Sequence, residues 1–368
     1  MNRKNYKTLF LNEVLEYEQP TKYIVKSENY DDSFATPVLT PGQTFILGYT
    51  NETEGVYSNP LPVIIFDDFT TATKLVNFPF KVKSSAMKIL KPANENVFLP
   101  YWYYFLSSLK VDNGLHKRYW ISTFANRQVH SPSFQEQKRI AERLDKVQEL
   151  IAKQKEQIAK LDLLIKSRFL DMFGDQISNP KKWPTRRMGD IFKITSGGTP
   201  SRKKSENFEN GTIPWVKTGD LNVPVLTHTV ECITEMGLQN SSAKLFPVGT
   251  VLLAMYGATI GAVSILGIEA CSNQACAAFL PVDTISPIYL YFFLFLQKQH
   301  FIKLGVGGAQ PNISGEILKR EKILCPPVVL QTQFANFVQS VEQQKEVFSA
   351  RLSHLEVLYK SLMQEYFG

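Results

Sequence analysis

The sequence predicts an α+β chain, in which two α/β globules are separated by two long antiparallel coiled-coil helices on a pseudo-twofold plan. Three observations predict it. Shifted by 194 positions, residues 132–174 lie without a gap on residues 326–368 with ten identities, among them Pro132/Pro326, Gln137/Gln331, Ala141/Ala335, Val147/Val341 and Phe173/Phe367. Spaced identities of this kind mark a duplicated unit. Both copies carry apolar residues at the 3-4 spacing of a coiled-coil seam. The segments before each copy also match in order, though more loosely: Leu11-Asn-Glu-Val with Met188-Gly-Asp-Ile, and Pro100-Tyr-Trp-Tyr-Tyr-Phe-Leu with Pro287-Ile-Tyr-Leu-Tyr-Phe-Phe.

Four segments follow: a globule at 1–131, a helix region at 132–177, a second globule at 178–325 and a second helix region at 326–368. In the first globule Val63-Ile-Ile-Phe, Lys81-Val-Lys and Lys88-Ile-Leu read as short strands, and a helix starts at Pro100, where proline suits the first turn. The first helix pairs through Ile140, Leu144, Val147, Ile151, Ile158 and Leu161, with Gln154 as a polar break. Its 29 residues from 140 to 168 would span about 43 Å. The prolines at 180 and 184 break the chain into a linker. In the second globule Val251-Leu-Leu-Ala, Ala262-Val-Ser-Ile-Leu and Cys276-Ala-Ala-Phe-Leu read as strands, and residues 287–304 as one helix. The second long helix pairs through Phe334, Val338, Val341, Phe348, Leu352 and Leu355, broken by Lys345. A single polar seam residue usually fixes register, so Gln154 and Lys345 are expected to set it. Antiparallel pairing would bring the globules to opposite ends of the rod.

The composition is that of a globular chain, 44% hydrophobic and 20% charged. The net charge is +7, and residues 178–325 carry most of the excess, with 15 Lys and Arg against 10 Asp and Glu. A basic excess suits a polyanionic partner but does not establish one. The four cysteines, Cys232, Cys271, Cys276 and Cys325, lack the paired spacing of a zinc site and read as reduced, mostly buried thiols, so no metal is expected. The start MNRKNYKTLF has no apolar core of a signal peptide, and a cytoplasmic location is expected. Residues 245–268 carry no charge over a membrane-spanning length, but Gly249, Gly257, Gly261 and Gly267 divide them into two buried strands and a glycine loop.

Catalytic patterns are scarce. The chain has no Gly-x4-Gly-Lys-Ser/Thr loop, and Asn59-Pro-Leu-Pro and Asn179-Pro-Lys-Lys lack the aromatic of an amino-methyltransferase motif. Asp67-Asp68 has no Glu-x-Lys partner and reads as a turn or a base-edge acceptor. The aromatic runs at 101–105 and 289–295 read as core at their helical spacing.

The second globule holds four clusters of small hydrogen-bonding residues: 196–204, 217–220, 256–261 with 272–274, and 305–314. Each alone reads as a turn. Together, with the basic excess, they equally admit contact with DNA, since Lys and Arg neutralise phosphates and Asn, Gln, Ser or Thr read base edges. Candidate phosphate contacts are Arg202, Lys203, Lys204 and Lys217, with Lys74, Lys81 and Lys83 in the first globule. Candidate base-edge groups are Thr199, Thr218, Tyr256, Asn273, Gln274, Gln310 and Asn312. Thr73, Ser84, Ser201 and Thr259 lie beside them.

On Ser196-Gly-Gly-Thr-Pro-Ser, Ile213-Pro-Trp-Val, Pro247-Val-Gly-Thr-Val-Leu, Ser272-Asn-Gln, Gly307-Gly-Ala-Gln-Pro-Asn-Ile-Ser and the proline lead-ins to both long helices, the chain resembles, over its whole length, the specificity subunit of type I restriction-modification systems. The first globule lacks the glycine-rich elements and has Lys117-Arg-Tyr-Trp-Ile-Ser-Thr-Phe in place of the last. The resemblance implies a non-catalytic DNA reader, with two target recognition domains on the halves of a split, asymmetric duplex site. It implies two modification subunits that carry S-adenosylmethionine and methylate adenine, and restriction subunits that use ATP and Mg. The chain itself would bind no cofactor. Alternatives are a self-contained DNA methyltransferase or nuclease, and a DNA-independent coiled-coil scaffold.

Overall fold

A computed structural model describes residues 6–40, 44–109, 119–305 and 312–368. Contacts divide the chain into unit 1, Met1–Glu156 with Ser349–Gly368, and unit 2, Gln157–Phe348. The division falls within both long helices, so each half-helix belongs to the unit whose core it completes. The expected four-segment partition differs in this respect.

Unit 1 contains β1 (Lys7–Phe10), α1 (Leu11–Val14), β2 (Leu15–Glu18), β3 (Thr36–Leu39), β4 (Ile46–Thr50), β5 (Val63–Asp67), β6 (Thr73–Val76), β7 (Lys81–Val82), β8 (Met87–Pro92), α2 (Leu99–Ser108), β9 (Gln128–Ser131) and the first half of α3 (Phe134–Phe173). A four-stranded sheet has the order β2-β8-β5-β6, and a three-stranded sheet β4-β3-β7. β5 is buried along its whole length, as its unbroken Val-Ile-Ile-Phe run requires of a central strand. Tyr101, Trp102 and Tyr104 of α2 are buried against Leu11, Phe66 and Phe124, so the aromatic run is core, as expected.

Unit 2 contains the rest of α3, then β10 (Thr185–Arg187), α4 (Met188–Ile191), β11 (Ile194–Ser196), β12 (Ile213–Val216), β13 (Val225–Leu226), β14 (Glu231–Ile233), α5 (Glu235–Gln239), β15 (Val251–Ala254), β16 (Val263–Leu266), β17 (Cys271–Ser272), β18 (Cys276–Phe279), α6 (Pro287–Leu296), α7 (Lys298–Leu304), α8 (Gly315–Arg320), β19 (Lys322–Leu324) and part of α9 (Val328–Phe367). Its sheets run β11-β18-β15-β16-β13 and β14-β12-β17. The strand plan of unit 1 is repeated: β12 pairs antiparallel with β14 and parallel with β17, as β3 pairs with β4 and β7. Unit 2 adds β13, parallel to β16, at the sheet edge. The uncharged run becomes the antiparallel pair β15–β16, and among the described residues no helix is long and apolar enough to cross a membrane. One helix was expected over 287–304; two form, α6 and α7, with the break at Gln297.

The long helices, 40 residues each, pack antiparallel. In unit 1 Arg143 donates to the Tyr366 hydroxyl at 2.8 Å, and Lys155 pairs with Glu356 at 3.0 Å, so partners descend along α9 as α3 ascends. In unit 2 Lys345 lies 2.7 Å from Asp162, and Phe169 and Phe173 meet Phe334. Ile140, Leu144, Val147, Ile151, Phe334, Val338 and Val341 are buried, whereas Ile158, Leu161, Phe348, Leu352 and Leu355 are half-buried. The buried seam residues belong to the globule cores as much as to a two-helix seam. Lys345 makes a cross-helix ion pair with Asp162 and a second with Glu342 of its own helix. The buried amide nitrogen of Gln154 has no hydrogen-bond partner among the described residues.

Each long helix is anchored by one of the repeated residues. Gln137 is 1% exposed; its amide nitrogen donates to the Pro132 carbonyl at 3.0 Å and the Asn96 carbonyl at 3.1 Å. Its amide oxygen accepts from Phe98 N at 2.9 Å and Trp102 Nε1 at 3.1 Å. Gln331, fully buried, repeats this with Pro326 O at 2.9 Å, Thr284 O at 3.2 Å and Ser286 N at 2.8 Å. Phe98 and Ser286 are the N-caps of α2 and α6. One glutamine in each unit therefore satisfies an orphan N–H at the start of the aromatic helix and ties it to the start of the long helix.

Candidate nucleic-acid interface

In unit 2 the structure brings the predicted clusters together in pairs. Thr199, exposed in the loop after β11, donates its hydroxyl to the amide oxygen of Gln274. That loop is pressed onto β17: Gly198 N donates to Ser272 O at 2.9 Å, and a Cβ on Gly197 would come within 1.8 Å of the same oxygen. Glycine is required here because backbone meets backbone. The buried Trp215 indole donates to the Gly198 carbonyl at 3.0 Å and fixes the loop from beneath. Tyr256, 43% exposed, forms a β-bridge with Asn312. Thr218 and Thr259 line one cleft of about 360 Å³ with Asn222 and Lys298.

Arg202 and Lys217 converge on one carboxylate that the sequence reading did not single out, Glu231. Arg202 reaches it at 2.6 Å, and Lys217 pairs with its other oxygen. Hydrogen bonds from Lys217 and then Arg202 hold the Glu231 carboxyl below the usual range. The Arg202 guanidinium carbon also lies over the Phe208 ring at 4.5 Å and the Trp215 ring at 5.3 Å. Ser201 and Lys203 are exposed beside it, and Lys204 lies 3.8 Å from Glu206. No signal in the sequence distinguishes Glu231 from other surface acids. Its strand register opposite Trp215 is what selects it.

Several candidates have structural duties. Asn273 Oδ1 accepts from Ala275 N at 3.2 Å and from the Cys276 thiol at 3.3 Å, closing the turn before β18. Ser314, after Asn312, caps α8 by accepting from Ile317 N at 3.2 Å. Gln310 lies outside the described residues. Burial pushes the Cys276 thiol up to about 12, so it is an inert core group.

In unit 1 the candidates are more dispersed. Thr73 shares a hydrogen bond with Ser107 at 2.9 Å, Lys74 lies over the Phe45 ring at 5.9 Å, and Ser84 accepts from Ala86 N at 3.3 Å. Lys83 pairs with Glu28 on the surface. Lys81 does not fit a phosphate contact: it is 1% exposed, donates to Glu54 O at 2.6 Å and lies 3.0 Å from the Glu52 carboxylate. Both residues of β7 are buried, so Lys81 lies inward beside Val82. Asp67 makes turn bonds to Phe69 N and the Thr70 hydroxyl, whereas Asp68 is buried with Lys88 at 3.3 Å, so it is no base-edge acceptor. Lys88 also donates to Gln19 at 2.6 Å, and Asp68 accepts from Trp120 N at 2.9 Å.

Comparison with known proteins agrees with this architecture. The chain is 36% identical to the EcoR124I/EcoR124II type I restriction enzyme specificity subunit of Escherichia coli, over 90% of this chain and 85% of that one. It is 29% identical to the MjaIX specificity subunit of Methanocaldococcus jannaschii over 46% of this chain and 41% of that one. Its fold is similar to a crystal structure of the type I restriction-modification S subunit from M. genitalium, with a TM-score of 0.64 at 16% identity, covering 99% of this chain and 96% of that one. The family model described as type I restriction modification DNA specificity domain matches residues 3–162 and 180–356. The chain belongs to the type I restriction-modification DNA specificity family.

Proposed function

We infer that this chain is the DNA sequence-recognition subunit of a type I restriction-modification complex. The observation that carries the reading, beside family membership, is the convergence in unit 2 of Thr199 with Gln274, Arg202 with Lys217, Tyr256 with Asn312 and Thr218 with Thr259. Such a surface offers cations for phosphates and amides and hydroxyls for base edges. Each unit would read one half of a bipartite, asymmetric duplex, with the paired helices as spacer. Two modification subunits would dock on the chain and supply S-adenosylmethionine chemistry; restriction subunits would supply ATP- and Mg-dependent steps. The chain itself would carry no catalysis and act in the cytoplasm.

The reading is tested by titrating duplex DNA with the full chain co-purified with its modification subunit, across salt concentrations. Affinity should fall steeply with salt, and replacing a phosphate-contacting lysine such as Lys203 by Ala should lower the log–log slope by about one. Affinity independent of salt would reject DNA recognition. Binding of S-adenosylmethionine by the isolated chain would favour a self-contained methyltransferase instead.

A further inference from the structure

The two cations on Glu231 differ in how tightly they are held. The Lys217 ammonium pairs with Glu231, whereas Arg202 is held both by Glu231 and by aromatic rings. Its Nη2 donates to the Glu231 carboxylate at 2.6 Å, and its guanidinium carbon lies 4.5 Å and 5.3 Å from the centres of the Phe208 and Trp215 rings, which meet edge to face. Trp215 is itself locked, buried and hydrogen-bonded to Gly198, and Glu231 stands opposite it in strand register. The side chain remains 55% exposed. A phosphate contact needs charge and reach but no fixed plane, and the neighbouring Lys203 and Lys204 already offer that. A planar fork held at one nitrogen and wedged against two aromatic rings presents its remaining N–H groups in a single plane, the geometry that the O6 and N7 atoms of guanine demand. Little rotamer entropy is then left to lose on binding.

We propose that Arg202, held by Glu231 and the Phe208 and Trp215 rings, reads a guanine in the half-site of unit 2 and is a specificity-determining residue. The proposal rests on the DNA-recognition reading. Glu231 acts as a positioning residue: both its oxygens are engaged, so it serves the duplex through the arginine.

The experiment selects bound duplexes from a random pool with the full chain co-purified with its modification subunit, for wild type, Arg202→Lys, Arg202→Ala and Glu231→Gln. Wild type should enrich a site with a guanine at one position. Arg202→Lys keeps the charge but loses the fork, so preference there should drop by roughly 10-fold or more, with the other positions and the salt slope unchanged. Glu231→Gln should weaken the same position by a smaller factor, and unchanged preferences elsewhere would show that the variants are folded. If Arg202→Lys selects like wild type while Arg202→Ala weakens all duplexes equally and lowers the salt slope, Arg202 is a phosphate contact and the proposal fails alone. A wild type that enriches no sequence would remove the recognition reading itself.

Discussion

Units 1 and 2 share a strand plan and a glutamine anchor, yet differ wherever that plan meets the candidate surface. Behind the surface of unit 1 sits a buried charged network of Asp68, Lys88 and Gln19, whereas β18 in unit 2 begins at Cys276 with an apolar burial pattern. In unit 1 the Tyr104 hydroxyl donates to Asp145 at 2.6 Å; in unit 2 Gln339, at the position repeating Asp145, lines a groove with Val225, Tyr291 and Phe292. The candidate loops of unit 2 are tied to one another, whereas the candidates of unit 1 each bind other residues: Thr73 with Ser107, Lys81 with Glu52 and Lys83 with Glu28. What stays the same in the duplicate is the junction between globule and long helix; the residues facing outward are free to differ. A chain whose two halves hold helices alike but read different sequences would have this distribution.

The comparison can be broken first at the anchor. Gln137→Leu removes partners from two buried donors and two carbonyls, and should cost about 4 kcal/mol, given roughly 1–3 kcal/mol for each buried group left unsatisfied. Gln331→Leu should cost nearly as much. Hydrogen exchange of the full chain should localise the loss to unit 1 for the first and to unit 2 for the second. An anchor that mattered in one unit only would end the claim of equivalent junctions.

The next largest effect should be asymmetric. Lys88→Met strands the buried Asp68 carboxylate and should destabilise by about 3 kcal/mol, with faster exchange in unit 1 and none in unit 2. Recovery on adding Asp68→Leu would confirm that the stranded charge, and not lost packing, is the cause.

The smallest effect concerns acid. Burial alone would raise the Glu18 pKa, but hydrogen bonds from Lys22, Tyr23 and Lys91 outweigh it and hold the carboxyl at about 2, against an ordinary 4.5. A depressed folded pKa contributes stability that is present above 4.5 and lost as pH falls from there toward 2. Glu18→Gln should therefore flatten the acid dependence of unit 1 exchange in that window and leave unit 2 unchanged. The Glu18 site is partly exposed, so the change should be modest.

Much of this was legible in the sequence because duplication is visible without folding: a shift of 194 positions locates both long helices, and short apolar runs locate β5, β15, β16 and β18. Other features depend on contacts far apart in the chain. Period alone cannot distinguish a helix that pairs with its copy from one that also closes a globule, so nothing in the pattern places Ile140 and Phe334 in the globule cores. A two-residue strand, β7, carries too little pattern to show that Lys81 faces inward. Glu231 lies 29 residues from Arg202, and only the register of β12 against β14 brings the two together. Gln137 and Gln331 are visible as repeats, but their role depends on the positions of Phe98 and Ser286.

The central claim is that the two units read separate halves of one duplex. The most direct measurement is base preference from a random duplex pool, comparing the full chain co-purified with its modification subunit against variants carrying Thr199→Ala with Gln274→Ala in unit 2, or Lys74→Ala with Lys83→Ala in unit 1. Wild type should enrich two short elements at a fixed separation. The unit 2 pair should alter one element only, and the unit 1 pair should weaken binding without touching it. A single continuous element, or changes in both elements from the unit 2 pair, would contradict the account.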